Sequence, residues 1–154
     1  MNKFMSLALK SARQGIRKKE GGPFGVCIVK NNKVIATAHN TVLKSKNATC
    51  HAEINAIRLA SKKLKTWKLK GCEIYSTTEP CPMCFSAIHW AQIDKVYYGT
   101  NIKDVKALGF NELAISNFQM KKIGKSKVKI KNNFERPACL ALLQEWSKNK
   151  TKLY

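Results

Sequence analysis

Apolar and polar positions alternate along this chain with two periods, and the changes from one period to the other outline the elements. Residues 2–19 carry Phe4, Leu7, Ala8, Ser11 and Ile16 at helical spacing between Lys and Arg, which predicts an amphipathic helix. Glu20-Gly21-Gly22-Pro23 ends it. Residues 25–30 read as a strand, Asn31-Asn32 as a tight turn, and residues 33–39 as the hairpin partner. A polar loop runs from Asn40 to Thr49. A second helix is expected over residues 52–64, with Ile54, Ile57, Ala60 and Leu64 inward. Residues 72–77 predict a third strand, and a helix starts at the cysteines that follow and runs to about Gln92. A fourth strand is expected at 95–99 and a short helix at 102–108. The stretch from Phe110 to Lys127 has little pattern. Val128 and Ile130 alternate with Lys, as in a short fifth strand. A last helix over 137–148 has Pro in its first turn and turns Cys139, Leu142, Leu143 and Trp146 inward. A tail, 149–154, ends on an aromatic residue.

Strand–helix alternation after the hairpin predicts an α/β fold, a mixed five-stranded sheet with helices on both faces. Right-handed crossovers would make the third, fourth and fifth strands parallel. Neither a repeat nor a linker interrupts the pattern, so residues 1–154 are expected to form one domain. Composition fits: 44% of residues are hydrophobic and 25% charged. No apolar run approaches the roughly 20 residues of a membrane span, and Met1-Asn2-Lys3-Phe4 lacks the layout of a signal peptide. A cytoplasmic location is the expectation.

The formal charge of +20 invites a nucleic-acid reading. The residue types weaken it. Of 29 basic residues only four are Arg (Arg13, Arg17, Arg58, Arg136), and the other 25 are Lys spread over every polar stretch. Specific phosphate and base recognition leans on Arg forks, so the charge reads as a solvated lysine surface.

Candidate chemistry is concentrated in two short stretches, His51-Ala52-Glu53 and Glu79-Pro80-Cys81-Pro82-Met83-Cys84. Six cysteines are present, at 27, 50, 72, 81, 84 and 139, but only Cys81 and Cys84 have ligand spacing. Cys27, Cys72 and Cys139 lie in apolar surroundings and read as core. A Cys-x-x-Cys pair alone fits a redox dithiol, half of a zinc ribbon, or chance. At a helix start, however, Cys81 and Cys84 share a face, and the helix dipole favours their thiolates. With His51 they make a three-ligand zinc set, which leaves the fourth tetrahedral position open as catalysis requires. Glu53 is then free to handle protons for the bound water. A structural zinc knuckle would need a fourth ligand; Cys50 is nearest but adjoins His51, and such a site has no use for Glu53. His39, His89 and Glu79 read as structural, Glu79 by bonding backbone N–H groups.

This one-His, Glu, Pro-Cys-x-x-Cys arrangement resembles that of the zinc nucleobase deaminases. The chain is similar to the cytidine deaminase-like superfamily, and within it to the bacterial guanine deaminases. The likeness extends over nearly the full length through Gly21-Gly22-Pro23-Phe24-Gly25, Asn40, His51-Ala52-Glu53, Glu79 to Cys84, Ala87-Ile88-His89-Trp90, Gly109-Phe110 and Tyr154. It implies a three-layer α/β/α fold, one Zn2+ per chain held by His51, Cys81 and Cys84, and Glu53 as the catalytic acid–base. It also implies hydrolytic deamination of a purine base, guanine in the narrower set. Phe24 and Trp90 would wall the base pocket, Asn40 would hydrogen-bond the purine, and the Ala52 backbone would contact it. A homodimer with an exchanged C-terminal segment would bring Tyr154 near a substrate, packed through the helices after the third and fourth strands. The guanine deaminases usually have two aspartates after Gly-Phe, the second a purine contact, where this chain has Asn111-Glu112. Glu112 keeps the carboxylate on a longer arm, so guanosine or another ring such as cytosine stays open. The chain also resembles the tRNA adenosine deaminases, which share His-Ala-Glu and Pro-Cys-x-Met-Cys. Those usually have Pro-Val-Gly-Ala where this chain has Pro23-Phe24-Gly25-Val26, and a basic residue where it has Ala91-Gln92.

Overall fold

A computed structural model describes residues 1–149 and 153–154. Five strands form one sheet: β1 (Gly25–Lys30), β2 (Lys33–His39), β3 (Cys72–Thr78), β4 (Lys95–Thr100) and β5 (Lys129–Lys131). Their order is β2-β1-β3-β4-β5. β1 pairs antiparallel with β2 and β3, while β3, β4 and β5 run parallel, as the crossover rule predicts.

The helices are α1 (Lys3–Arg17), α2 (Val42–Ser45), α3 (Ala52–Leu64), α4 (Pro82–Trp90), α5 (Ile102–Lys106), α6 (Asn117–Gly124) and α7 (Arg136–Ser147). Strand pleating sorts them onto two faces. In β1, Val26 and Ile28 point into a cluster with Ala52, Ala56 and Ala60 of α3 and Phe85 and Ile88 of α4. Their neighbours Cys27 and Val29 point the other way, onto Phe4, Met5, Ala8 and Leu9 of α1 and Cys139 and Leu142 of α7. A third cluster, Val105, Phe110, Leu143 and Trp146, closes the end of the sheet. The result is the three-layer α/β/α architecture.

Several details differ from the pattern. α1 turns Met5, Leu9 and Ala12 inward as well as Phe4, Ala8 and Ser11, and leaves Leu7 and Ile16 only partly covered. α3 buries its alanines, with Ile57 and Leu64 half-buried beside them and Ile54 outside the cluster. Small residues on this face let the helix lie close to the strands. The first-turn proline of α4 is Pro82. The polar loop contains the short α2, and the unpatterned stretch contains α6, whose start is a capping box between Ser116 and Gln119. Residues 150–152 of the expected tail lie outside the described residues.

The α1–β1 connection is fixed by a charged clamp. Glu20 accepts from His39 Nε2 at 2.6 Å and from Lys44 Nζ at 2.8 Å, and His39 Nδ1 faces Ser11 Oγ at 3.2 Å. His39 is therefore structural, as expected. The Lys44 and His39 bonds hold the Glu20 carboxyl down to about 2. With the native pKa depressed from 4.5, the clamp contributes fully above about pH 4.5 and is lost as pH falls toward 2. Glu20→Gln should therefore lower stability in urea at neutral pH, and the gap to the native chain should shrink on acidification. A gap that holds constant down to about pH 3 would contradict the clamp.

Candidate active site

The site stands at the carboxyl end of β3, where α3 and α4 begin. His51 is the N-cap of α3 and Cys81 the N-cap of α4, both with extended backbone; neither side chain caps its helix. Each side chain is thereby released to point away from its own helix. Cys84, one turn into α4, is fully buried. His51 Nδ1 lies 3.6 Å from Cys81 Sγ and 3.6 Å from Cys84 Sγ. Tetrahedral zinc with Zn–S near 2.3 Å and Zn–N near 2.0–2.1 Å separates a nitrogen from a sulfur ligand by about 3.6 Å. Among the described residues these three donors, all within 4.8 Å of one another, form the group able to hold a metal. Cys50 turns away, taking a 3.7 Å contact from Arg58 Nη1, so no fourth ligand joins them. The donor set fits one zinc with an open position.

The thiols divide their charge unequally. Hydrogen bonding from Cys84, then from His51, brings Cys81 down to about 4 against the cost of burial, whereas the Cys81 thiolate and burial push Cys84 up. Glu53 is buried beside the group but outside the donor cluster. Burial and then the Cys81 thiolate raise its pKa above the ordinary carboxylate value. Ser76 Oγ lies 3.5 Å from Glu53 Oε1, at the limit of a hydrogen bond.

These residues line a small cavity with Phe24, Asn40, Thr78, Glu79 and Glu112. Asn40 is fully buried; its Oδ1 accepts from Val42 N–H at 3.0 Å and more weakly from Gly22 N–H at 3.4 Å. Its amide Nδ2 is buried and makes no close hydrogen bond, with the Tyr154 hydroxyl as its neighbour. Gly21 packs so tightly on Asn40 that an added Cβ would fall 2.1 Å from Oδ1, which fixes the amide's orientation. Phe24 meets Phe110 edge-on with centroids 5.2 Å apart. Ala52 begins α3, so its N–H is among the first-turn donors the helix leaves free. Glu112 is half-buried, and burial followed by the Cys81 thiolate pushes its carboxyl up to about 7. Tyr154 reaches the pocket of its own chain. Its hydroxyl accepts from Gly22 N–H at 3.2 Å, its ring stands edge-on to Phe110, and burial raises its pKa.

Trp90 is placed elsewhere. The cysteines occupy the first turn of α4 and Trp90 its last residue, about 13 Å along the axis. The ring is 77% exposed and lines a separate cleft of about 610 Å3 with Lys70, Gln92 and Lys127. That cleft holds no metal set. His89, also in it, bonds Ser126 Oγ at 2.9 Å, a structural role. The pocket at the metal group is only about 20 Å3, room for about one water.

Two wall residues, Ser76 and Thr78, were not foreseen from the sequence. Their signal is polarity at the inward positions of β3 beyond Ile74. Glu79, expected to be structural, is a buried acceptor for Tyr98 Oη at 3.2 Å, Ile102 N–H at 3.1 Å and Asn117 N–H at 2.8 Å. Those amides start α5 and α6, so one carboxylate anchors two helices to the turn that carries the cysteines.

Residues 1–100 match the family model of the cytidine and deoxycytidylate deaminase zinc-binding region. The guanine deaminase of Bacillus subtilis is 41% identical over 109 residues, 71% of this chain and 70% of that protein. A tRNA-specific adenosine deaminase of Buchnera aphidicola is 34% identical over 147 residues, 96% of this chain and 93% of its own. The solved guanine deaminase of Nitrosomonas europaea superposes with a TM-score of 0.85 at 29% identity, over 94% of this chain and 83% of that one. The chain belongs to the cytidine and deoxycytidylate deaminase family and is a hydrolytic deaminase that binds zinc.

Two variants separate metal from proton chemistry. Cys84→Ala should lose most of its zinc, read by metal analysis of the purified protein. Glu53→Gln should keep zinc and fold yet lose about 10²–10⁴-fold in turnover, the usual contribution of a positioned acid–base group. Full zinc in the first, or turnover within tenfold of native in the second, would contradict these roles.

Proposed function

We propose that this enzyme converts guanine and water to xanthine and ammonia. The observation that carries the reading is the composition of the pocket wall. A buried amide, Asn40, and a half-buried carboxylate, Glu112, share one cavity with His51, Cys81 and Glu53. Guanine presents ring and exocyclic N–H donors that a carboxylate accepts, whereas the pairing edge of adenine presents a ring acceptor beside its amino group. Tyr154, bonded across to Gly22, encloses the same space and suits a free base better than a base attached to a polynucleotide.

Zinc, when bound, supplies a water whose pKa falls from about 15.7 to about 7. Glu53 accepts the proton released as the water oxygen adds to the amino-bearing ring carbon, and delivers it to the adjacent ring nitrogen. The carboxylate then takes the remaining proton of the added hydroxyl and passes it to the amino nitrogen, so that the carbonyl forms as the carbon–nitrogen bond breaks and ammonia leaves. The raised pKa of Glu53 fits a group that must both take and return protons near neutrality. Asn40 and Glu112 hold the ring in plane, and Phe24 packs against it.

The alternative substrate is an adenosine within tRNA. Two observations favour it: the +20 charge, and a tRNA-specific relative matched over nearly the whole chain. Ammonia release from guanine, guanosine, cytosine, cytidine, adenine and an anticodon stem-loop decides between them. Guanine should be the best substrate. Glu112→Gln should lower kcat/KM for guanine by about 5- to 150-fold, the equivalent of roughly 1–3 kcal/mol for an unpaired polar group. Release from the stem-loop alone, or a Glu112→Gln effect below twofold, would overturn the guanine reading.

The homodimer implied by the resemblance is also proposed. Met83 and Trp90 of α4 and Phe118 and Ile123 of α6 are exposed apolar side chains on two helices in contact with each other. Such a face is covered most simply by a second copy. Exchange of the tail is not needed to bring Tyr154 to a pocket, since it reaches its own. Sedimentation at micromolar concentration should give a dimer that Ile123→Glu weakens. A monomeric native chain would refute it.

A further inference from the structure

We infer that Asn55 is a positioning residue that ties the base-reading Asn40 to the metal ligand His51. The inference rests on the reading of Asn40 given above. Asn55 sits one turn into α3, on a helix whose N-cap is His51, and its own N–H bonds His51 C=O at 3.0 Å. Its side-chain Nδ2 donates to His39 C=O at 3.0 Å, to Thr41 Oγ1 at 2.9 Å and to Cys50 C=O at 3.3 Å. These three acceptors immediately flank Asn40 and His51. Thr41 N–H also bonds Cys50 C=O at 3.0 Å, so the loop from Asn40 to Cys50 is pinched shut at its neck.

An amide nitrogen has two protons, so three acceptors use it fully. The reach of Asn fits the site. The carbonyl before Asn40, the hydroxyl after it and the carbonyl before His51 converge on one atom. No other described side chain is recorded bonding both ends of this loop. Asn40 lines the pocket from a backbone held at His39 and Thr41. A shift of that backbone relative to His51 would move the base edge against the metal. Near-attack geometry tolerates little of this; about 1 Å of misplacement costs about 10²-fold. Asn55 touches neither substrate nor metal and acts through the two residues that do.

A double-mutant cycle tests it, using the zinc-loaded enzyme and whichever substrate the ammonia assay identifies. Asn55→Ala should remain folded, judged by circular dichroism, and should lose about tenfold or more in kcat/KM, largely through KM. In an Asn40→Ala background the same substitution should cost less than about twofold, because coupled residues are not additive. Release of zinc to a chelator should quicken several-fold in Asn55→Ala. Equal costs in both backgrounds, or kcat/KM and zinc release both within about twofold of native, would overturn the inference. If Asn55→Ala does not fold, Asn55→Ser keeps a shorter donor and should give the same pattern at smaller amplitude. If Asn40→Ala alone has no effect, the reading of Asn40 as a base contact fails, and the zinc-release rate then decides the role of Asn55 by itself.

Discussion

The structure depends on two helix N-termini meeting at one point. α3 and α4 start within bonding reach of each other only because β1 and β3 are neighbours and both helices pack on the same face of that pair. The N-cap residue is the one position in a helix whose side chain is free of the ladder yet rigidly attached to it. Using His51 and Cys81 there sacrifices the capping bonds that Ser or Asp would supply. A metal offsets that loss by fixing both ends at once. Cys84, one turn along, adds a third point that sets the rotation of α4 about its axis. The metal site and the α3–α4 packing are thus one constraint seen from two sides.

That arrangement needs its cysteine turn held from behind, and Glu79 does this. A carboxylate buried at the centre of a protein is costly unless donors satisfy it. Glu79 accepts from two helix-start amides and a tyrosine hydroxyl, and Asn117 donates back to Pro80 C=O at 2.6 Å. The same residues therefore pin α5, α6 and the segment before Cys81 together. With its acceptor capacity engaged, Glu79 is poorly suited to move protons. Glu53 instead meets the Ser76 hydroxyl at 3.5 Å and the Cys84 thiol at the metal group, although both carboxylates stand in the same wall. The division of labour between two buried acids follows from which donors each one meets.

Strands, their directions and the metal ligands were legible in the chain because each carries its own signal: alternation, crossover handedness, ligand spacing. Other features depend on contacts a sequence does not display. α6 is weakly amphipathic and half exposed, so its apolar pattern is faint; only the Ser116–Gln119 box marks its start. α2, α3 and α6 end on Lys46, Lys65 and Lys125 in the left-handed conformation where Gly is the usual stop, which blurs their boundaries. The place of Trp90 in its own chain had no signal, because a resemblance carries residue types but not distances along a helix axis. Asn55 had no signal at all: an Asn in a helix is ordinary until three acceptors from other segments converge on it.

The charge distribution bears on which substrate such a site takes. The chain carries +20, yet among the described residues no Lys or Arg lines the pocket. Its ionisable wall residues are Glu53, Glu79, Glu112, Cys81 and His51. A polyphosphate approaching the surface would be drawn by the lysines and then meet carboxylates at the cavity. The two thiolates already balance the charge of a bound zinc, leaving little positive potential inside to offset a phosphate. A neutral base with N–H donors meets the opposite situation: every carboxylate not locked by the protein is a potential acceptor, in an enclosed space where such bonds count for more than in water. The lysine shell thus bears on solubility and long-range attraction, while the acidic interior is the environment that supports the proposed neutral, donor-rich substrate.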